Sequence, residues 1–345
     1  MVAAPPAWAG RALAGPFSGG LIDCRSGLVP VSCPISSCLR ASSLLVQKLH
    51  AGYRVLANIG TGAASIIHAV QDPRTKQVWA LKEVTKTAER DQRFLEQVEM
   101  EYAIGSRLDH PNIRKVVRIV RHRKMFKVHA LSLVMELVDG ISLDQKLPKT
   151  DAQAVRIFTQ VAKGLAHMHG RGFVHADMKP SNLLITEGDA VKIIDLGQAC
   201  KIGTIKKRIQ GTPGYMAPEQ AHRQAITPKT DIYNFGATMY WVLVREVIPT
   251  ALPPKDETTS LYTGALDVDM VEPPVPPIEK RPDIHPLLSR QILDCVQIHP
   301  DLRPESMELV ANRLELIGEL LDTTPRESGG KTEPERQSRS KSESK

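Results

Sequence analysis

The feature that most constrains this chain is the run at residues 175–182 (HADMKPSN), followed thirteen residues after its last residue by the tripeptide DLG at 195–197. Together they hold two carboxylates, a lysine and an asparagine. Phosphoryl transfer from a nucleotide needs such a set, because its loose transition state spreads charge over the phosphoryl oxygens. One carboxylate receives the attacking hydroxyl, the second holds metal with the asparagine, and the lysine lies beside the phosphate. The pattern therefore predicts a phosphoryl-transfer site.

Five further segments accompany this pattern in a fixed order. Two precede it, residues 59–67 (IGTGAASII) and 78–82 (VWALK), and three follow it, 211–219 (GTPGYMAPE), 231–236 (DIYNFG) and 299–304 (HPDLRP). A single such match is weak, since a Gly-x-Gly occurs in many loops. Seven matches in one order are very specific.

Together these segments resemble the motifs of the eukaryotic-type (Hanks-type) serine/threonine protein kinases over roughly residues 53–320. The run from Gly211 to Gln220 looks closest to bacterial members. The resemblance implies an α+β, two-lobed protein kinase fold at residues 51–322. A small lobe (51–138) is expected to hold a five-stranded antiparallel sheet with one helix, and a larger lobe (139–322) to be mainly helical.

The hydrophobic periodicity agrees with that division. Period-two alternation bounded by turn residues predicts strands, and three- to four-residue spacing predicts helices. The expected strands are 54–60, 65–72, 77–84, 115–121 and 128–135, and the expected helices are 89–108, 152–169, 231–244, 287–296 and 305–321.

The two ends of the chain differ from the middle. Residues 1–50 are rich in Ala, Gly, Pro and Ser, and residues 323–345 contain no large apolar side chain, so both are expected to be disordered. They carry net charges of +3 and +2, which leaves only +2 of the total +7 for the kinase-like part. That distribution argues against a nucleic-acid partner.

Other compositional features bear on location. No run of about 18 apolar residues is present, so we expect no membrane-spanning helix. The five cysteines form no metal-ligand pattern, and an odd count without a clear secretion signal favours free thiols in a reducing compartment. A cytoplasmic enzyme is therefore expected, and its oligomeric state is left open.

The resemblance assigns catalytic roles residue by residue. It implies that Asp177 is the catalytic base, that Lys179 lies beside the transferred phosphate, and that Thr212 orders both. It also implies that Lys82 contacts the α- and β-phosphates. A lysine between apolar strand residues needs an anionic partner, for which Glu101 is chosen by its family-like spacing before His110, with Glu99 and Glu96 as alternatives.

The resemblance also implies ATP and magnesium (or manganese) as cofactors. Asn182 and Asp195 would hold the metal. Met135 would gate the back of the adenine pocket, and residues 136–138 would form the hinge. The residues expected to bind ATP are Ile59, Gly60, Thr61, Gly62, Ser65, Ile67, Ala80, Lys82, Met135, Glu136, Val138, Ser142 and Leu184.

Two departures from the family pattern matter. Ala176 stands where an arginine that receives an activation-segment phosphate is frequent, which predicts activity that depends little on phosphorylation of Thr204 or Thr212. Leu196 replaces the usual aromatic residue of the metal loop and is expected to pack similarly.

The seven basic residues between Arg114 and Lys127, with no acidic residue among them, leave two interpretations open. They could recruit an acidic partner, or they could be the solvated face of two edge strands.

These patterns predict an ATP-dependent kinase that phosphorylates Ser and Thr hydroxyls of protein substrates, with autophosphorylation. A pseudokinase that binds nucleotide as a scaffold is the alternative. A small-molecule kinase is a second alternative, which residues 211–219 argue against because in the resembling family they form a platform for peptides.

Overall fold

The computed structural model describes residues 49–62, 64–250, 252 and 271–323. The remaining residues, including most of the predicted terminal extensions, lie outside this part of the chain. Within it, Leu49 and His50 belong to a strand, and Thr323 ends a helix. No helix among the described residues is long and apolar enough to cross a bilayer.

The small lobe is built on one antiparallel sheet. Its strands are β1 (Leu49–His50), β2 (Tyr53–Thr61), β3 (Ser65–Gln71), β4 (Val78–Thr85), β5 (Val116–Lys124) and β6 (Lys127–Glu136), in the spatial order β1-β2-β3-β4-β6-β5. The five predicted strands are all present, as β2 to β6, and β1 adds a sixth at the edge of the sheet. A two-residue strand such as β1 is too short to show alternation, so the sequence pattern could not reveal it.

A single long helix, α1 (Gln92–Gly105), packs on this sheet after a short 3₁₀ turn at Glu89–Asp91. Leu95 and Val98 of α1 share one buried cluster with Val84, Leu133 and Met135 of the strands. Burial of each such side chain contributes about 1.5–3 kcal/mol to stability, which holds the helix against the sheet.

The large lobe is mainly helical, as predicted. Its helices are α2 (Asp151–Gly170), α3 (Pro218–Ala221), α4 (Pro228–Val244), α5 (Pro277–Lys280), α6 (Pro286–Cys295) and α7 (Met307–Thr323). At its centre the rings of Phe158 (α2) and Phe235 (α4) meet edge to face, with centroids 5.4 Å apart.

The ends of these helices follow from capping chemistry. The Thr150 hydroxyl accepts a hydrogen bond from the Gln153 amide and opens α2, as predicted. Helix α4 begins at Pro228, three residues before the predicted start, because Thr227 caps it and proline is favoured in the first turn. It ends at Val244, and the C-cap residue Arg245 has a left-handed φ of 70°.

Short antiparallel pairs hold the loops of the large lobe. They are β7 (Ile141–Ser142), β9 (Leu183–Ile185) and β10 (Val191–Ile193) in one sheet, β8 (Phe173–Val174) with β11 (Cys200–Lys201), and β12 (Thr204–Ile205) with β13 (Ala225–Ile226). Residues 175–182 run from β8 to β9, and residues 194–199 from β10 to β11. The two sequence segments that suggested phosphoryl transfer are thus neighbouring loops.

A buried ion pair links α3 to the segment before α7. The Arg303 guanidinium donates two hydrogen bonds, of 2.7 and 2.9 Å, to the two carboxylate oxygens of Glu219. Both residues are at most 4% exposed, and the Thr230 hydroxyl donates to the same carboxylate. Two ions out of water are tolerable only when paired and fully hydrogen-bonded.

We expect Glu219→Gln to destabilise the large lobe strongly, because the Arg303 charge would stay buried without its counter-ion. A loss of about 3–5 kcal/mol is the usual cost of breaking such a pair. Urea unfolding followed by circular dichroism measures it. Glu315→Gln is the matched control, since Glu315 pairs with Lys163 at the surface and should cost at most about 1 kcal/mol. Equal midpoints for the two variants would contradict the assigned role.

Candidate active site

The start of the loop at residues 175–182 is held by one buried carboxylate on α4. Asp231 is 0% exposed, and its two oxygens accept hydrogen bonds of 2.8 Å from the backbone amides of His175 and Ala176. His169 Nε2 lies 2.8 Å from the same carboxylate. Ala176 is held at a left-handed φ of 62°, a conformation that needs such support in a residue with a Cβ.

Above this anchor, three side chains form a closed hydrogen-bonded set. The Thr212 hydroxyl donates to Asp177 Oδ1 at 2.8 Å and accepts from Lys179 Nζ at 3.0 Å. Lys179 Nζ also lies 3.3 Å from Asp177 Oδ2. The Asp177 carboxylate is therefore oriented by two partners, and it stays partly accessible with 11% of its side chain exposed. An oriented, accessible carboxylate is what a general base requires.

The DLG loop supplies the second carboxylate. Asp195 Oδ1 accepts a 2.9 Å hydrogen bond from the Gly197 amide and lies 3.9 Å from Lys82 Nζ. Burial acts to raise the pKa of Asp195, but the Lys82 charge and the Gly197 amide outweigh it and hold the pKa below its usual value. The carboxylate is therefore ionised at neutral pH, while 46% of its side chain remains exposed.

Lys82 joins the small-lobe sheet to α1. Its Nζ donates to Glu101 Oε2 at 2.7 Å, and neither Glu99 nor Glu96 makes that contact among the described residues. Burial acts to lower the pKa of Lys82, yet Glu101 and Asp195 raise it above the ordinary value, so the ammonium stays charged. The sequence choice of Glu101 as the partner agrees with this contact.

Sequence reasoning missed two further contacts at this point. Arg114 Nη2 lies 3.7 Å from Glu101 Oε1, so Glu101 faces two cations. Unlike the exposed basic residues that follow it, Arg114 is only 11% exposed, and the apolar residues Ile113 and Val116 beside it are the sequence signal for its burial. Gln97 of α1 reaches the DLG loop, where a Cβ on Gly197 would come within 2.7 Å of Gln97 Nε2.

Asn182 and Asp195 present the oxygen chemistry that magnesium prefers. The Asn182 side-chain amide nitrogen donates to the Asp177 carbonyl at 2.9 Å, which orients the amide and leaves its Oδ1 for a cation. Magnesium is commonly held by one or two protein oxygens together with phosphate oxygens and water. The residues present therefore fit a phosphate-bound magnesium ion.

Ten of the residues predicted to bind ATP fall into three groups. Ile59, Gly60, Thr61, Gly62, Ser65 and Ile67 lie on the β2–β3 hairpin, Ala80 and Met135 face each other as a register pair of β4 and β6, and Ser142 pairs with Leu184 across β7 and β9. Ile59 and Ile67 pack against the cluster that contains Ala80 and Met135. Glu136 and Val138 continue from β6 towards the large lobe.

The hairpin turn uses glycine for space. The Gly62 amide donates to the Ser65 carbonyl at 2.7 Å, and a Cβ on Gly62 would lie 2.9 Å from Ser65 Oγ. Gly60 has room for a Cβ, 3.7 Å from Ile67. Gly62 has no left-handed φ, and a Cβ there would require the Ser65 hydroxyl to move aside.

The segment after the DLG loop is held by backbone pairing and apolar contacts. Val174, Ala176, Cys200 and Ile226 form one buried cluster, and the Gly203 amide donates to the Ile226 carbonyl at 2.8 Å. Burial raises the pKa of the Cys200 thiol, so it is an unreactive core residue. Leu196 is 2% exposed, as expected for an apolar replacement in the metal loop.

Comparison with known proteins agrees with this geometry. Residues 53–314 match the protein kinase domain family. Among curated relatives, "Serine/threonine-protein kinase pkn3" of Myxococcus xanthus is 32% identical over 80% of this chain and 52% of its own length. "Serine/threonine-protein kinase PknB" of Mycolicibacterium smegmatis is 28% identical over 74% of this chain and 41% of its own.

A third relative, "Serine/threonine-protein kinase PrkC" of Bacillus subtilis, is 27% identical over 59% of this chain and 32% of its own length. The chain thus spans about half, or less, of the length of these relatives. Since the family match covers most of the chain, this chain belongs to the protein kinase domain family.

Proposed function

We propose that this chain is an active serine/threonine protein kinase that transfers the γ-phosphate of ATP to protein hydroxyls, including its own. The observation that carries the proposal is the closed set of Asp177, Lys179 and Thr212, beside two oxygen donors suited to metal. Members of this family use ATP with a divalent cation. Magnesium is the ion proposed here, and manganese offers similar octahedral oxygen chemistry.

In the proposed mechanism Asp177 receives the substrate hydroxyl. The hydroxyl oxygen forms a bond to the γ-phosphorus, the bond from that phosphorus to the β–γ bridging oxygen breaks, and the hydroxyl proton passes to Asp177. Lys179 stabilises negative charge on the transferred group, and Lys82, held by Glu101, positions the α- and β-phosphates. Asn182 and Asp195 would hold the cation, which would neutralise charge on the phosphate oxygens.

The loop at residues 175–182 supports Ser and Thr hydroxyls as the acceptors. Lys179, two residues after the proposed base, follows the pattern of Ser/Thr-directed members, and its amine is shared with Thr212. Buried free thiols at Cys200 and Cys295 support the cytoplasm, a reducing compartment, as the site of action.

The scaffold alternative is weaker on the same geometry. A pseudokinase could dispense with the contacts that orient Asp177, yet Thr212 and Lys179 both contact it here. The small-molecule alternative is separated by assaying peptide and metabolite acceptors side by side.

Asp177→Asn tests catalysis directly. We expect phosphate transfer from radiolabelled ATP to fall by about 10²–10⁴-fold, because the variant cannot accept the proton. A basic protein and the enzyme itself serve as acceptors. Asp301→Asn, at an exposed aspartate of the large lobe, is the control and should keep full activity. Nucleotide binding without any transfer by the unmodified enzyme would favour the scaffold.

Glu101→Gln tests the positioning of Lys82. We expect kcat/KM for ATP to fall at least about tenfold, since one charge-assisted hydrogen bond to Lys82 is lost. Glu99→Gln, on the same helix but paired with exposed Arg121, is the matched control and should behave as the unmodified enzyme. Equal losses in both variants would mean that Glu101 acts only through the stability of α1.

Thr204 and Thr212 are expected to differ sharply. The Thr204 hydroxyl donates to the Lys201 carbonyl, away from the catalytic set, so Thr204→Ala should keep activity within about twofold. Thr212→Ala should lose at least about tenfold, because a donor to Asp177 is removed, while Thr212→Ser should retain most activity.

Phosphatase treatment should leave the unmodified enzyme active. A large loss on that treatment would contradict phosphate-independent ordering of the segment.

A further inference from the structure

The β5–β6 hairpin ends in two exposed apolar residues. Lys124 pairs with Lys127, so the turn between them consists of Met125 and Phe126 alone. Met125 is 87% exposed and Phe126 100% exposed, the largest values among the exposed large apolar residues of the described chain. Neither side chain contributes to a core cluster of the structure.

The backbone of this turn also disfavours these residues. Met125 and Phe126 have φ angles of 46° and 68°, both in the left-handed region. Two-residue hairpin turns of this kind favour Asn-Gly, whose side chains tolerate positive φ. A large apolar pair here is therefore favoured neither by the turn geometry nor by contact with water.

Cations surround the tip directly. Arg123, Lys124 and Lys127 are all exposed within three residues of Phe126, and no ion pair to any of them occurs within the described ranges. Further along the same strand, Arg121 pairs with Glu99, and Arg118 stacks over the ring of Tyr53.

The acids near this end of the lobe do not cancel these charges. The pKa of Glu89 is lowered mainly by Lys86, with which it pairs at 2.9 Å, and only to a lesser extent by Lys127. Glu83 of β4 lies opposite Ser132 of β6, five positions along the strand from Lys127. The hairpin end thus combines two exposed apolar side chains with three exposed cations that form no ion pair in the described part of the chain.

We propose that the β5–β6 hairpin tip docks the kinase on an anionic lipid surface, with Met125 and Phe126 entering the bilayer interface and Arg123, Lys124 and Lys127 contacting lipid phosphates. Apolar residues at such an interface insert roughly 5–10 Å, a depth that two side chains at the end of a turn can reach. A lipid surface needs no complementary pocket, which suits a protruding tip better than a folded protein partner does. In this role the basic residues at the hairpin end recruit an acidic partner, a lipid surface, and they do so whether or not the chain is an active kinase.

The fold keeps this contact away from the active site. Strand β6 runs ten residues from Lys127 at the tip to Glu136 at the cleft, a distance of about 30 Å at the rise of a strand. The cleft therefore stays open to ATP and substrate when the tip is docked.

The test is co-sedimentation of the full chain with vesicles of phosphatidylcholine, with and without phosphatidylserine. We expect binding only when phosphatidylserine is present, with a strong decrease in high salt. The variant Met125→Asn/Phe126→Gly removes the two apolar side chains while matching the turn, so it should fold well and lose at least about tenfold in binding. Leu316→Gln, at a leucine 61% exposed on α7, is its matched control.

A second variant tests the three cations. Arg123→Gln/Lys124→Gln/Lys127→Gln should lose about 10²-fold in binding, since each cation near an anionic surface contributes roughly fivefold. The control exchanges three exposed cations of the large lobe, Lys163, Arg171 and Lys280, and should bind normally. Both test variants should phosphorylate a soluble substrate at the unmodified rate.

Phe126→Trp reports insertion independently. Its emission, corrected for the native tryptophans, should shift to the blue with phosphatidylserine vesicles and not with phosphatidylcholine alone. Absence of vesicle binding, equal binding without phosphatidylserine, or an unaffected tip variant would overturn the proposal. Binding to polyglutamate or nucleic acid in place of vesicles would overturn it as well, and would identify a macromolecular partner for the three cations.

Discussion

The rest of the site depends on one buried carboxylate, that of Asp231. It holds the backbone amides of His175 and Ala176 from below and keeps Ala176 in a left-handed conformation. Because the next residue is Asp177, the direction in which the proposed base points is set by the core of the large lobe. Asp231 is buried on α4, and it holds a loop that has little regular structure of its own. The fixed position of that helix therefore determines the geometry of the loop.

A second set of charges joins the two lobes. Lys82 on the small-lobe sheet contacts Glu101 of α1 and approaches Asp195 of the large lobe. Arg114 adds a second cation to Glu101. Moving α1 away from the sheet would leave Lys82, Glu101 and Arg114 unpaired. The position of α1 and the proposed phosphate-binding geometry are therefore stabilised by the same ion pairs. Gly197 leaves room for the Gln97 side chain of α1, which would have to shift if residue 197 carried a Cβ.

The sequence predicted the fold class and most elements because long amphipathic segments carry strong periodicity. Helix α2, opened by Thr150, is an example. What it missed were features set by tertiary contacts. The two-residue β1 and the β12–β13 pair are too short for any period, and Arg114 differs from its basic neighbours only through burial. The contact between Lys82 and Glu101 could be anticipated because a buried lysine requires an anion, whereas the approach of the Gln97 side chain to the DLG loop had no comparable signal in the sequence.

The residue that leaves β6 at the cleft, Glu136, is tied on two sides. Its carboxylate accepts from Lys192 Nζ of β10 at 3.0 Å and from the Lys115 amide at 3.0 Å. The connection between the lobes is therefore braced against bending, while the β2–β3 hairpin has register shifts and a tight glycine turn at its end. Bending at this connection would have to break an ion pair and a backbone hydrogen bond at the same carboxylate, so any relative movement of the lobes at Glu136 carries the cost of both contacts.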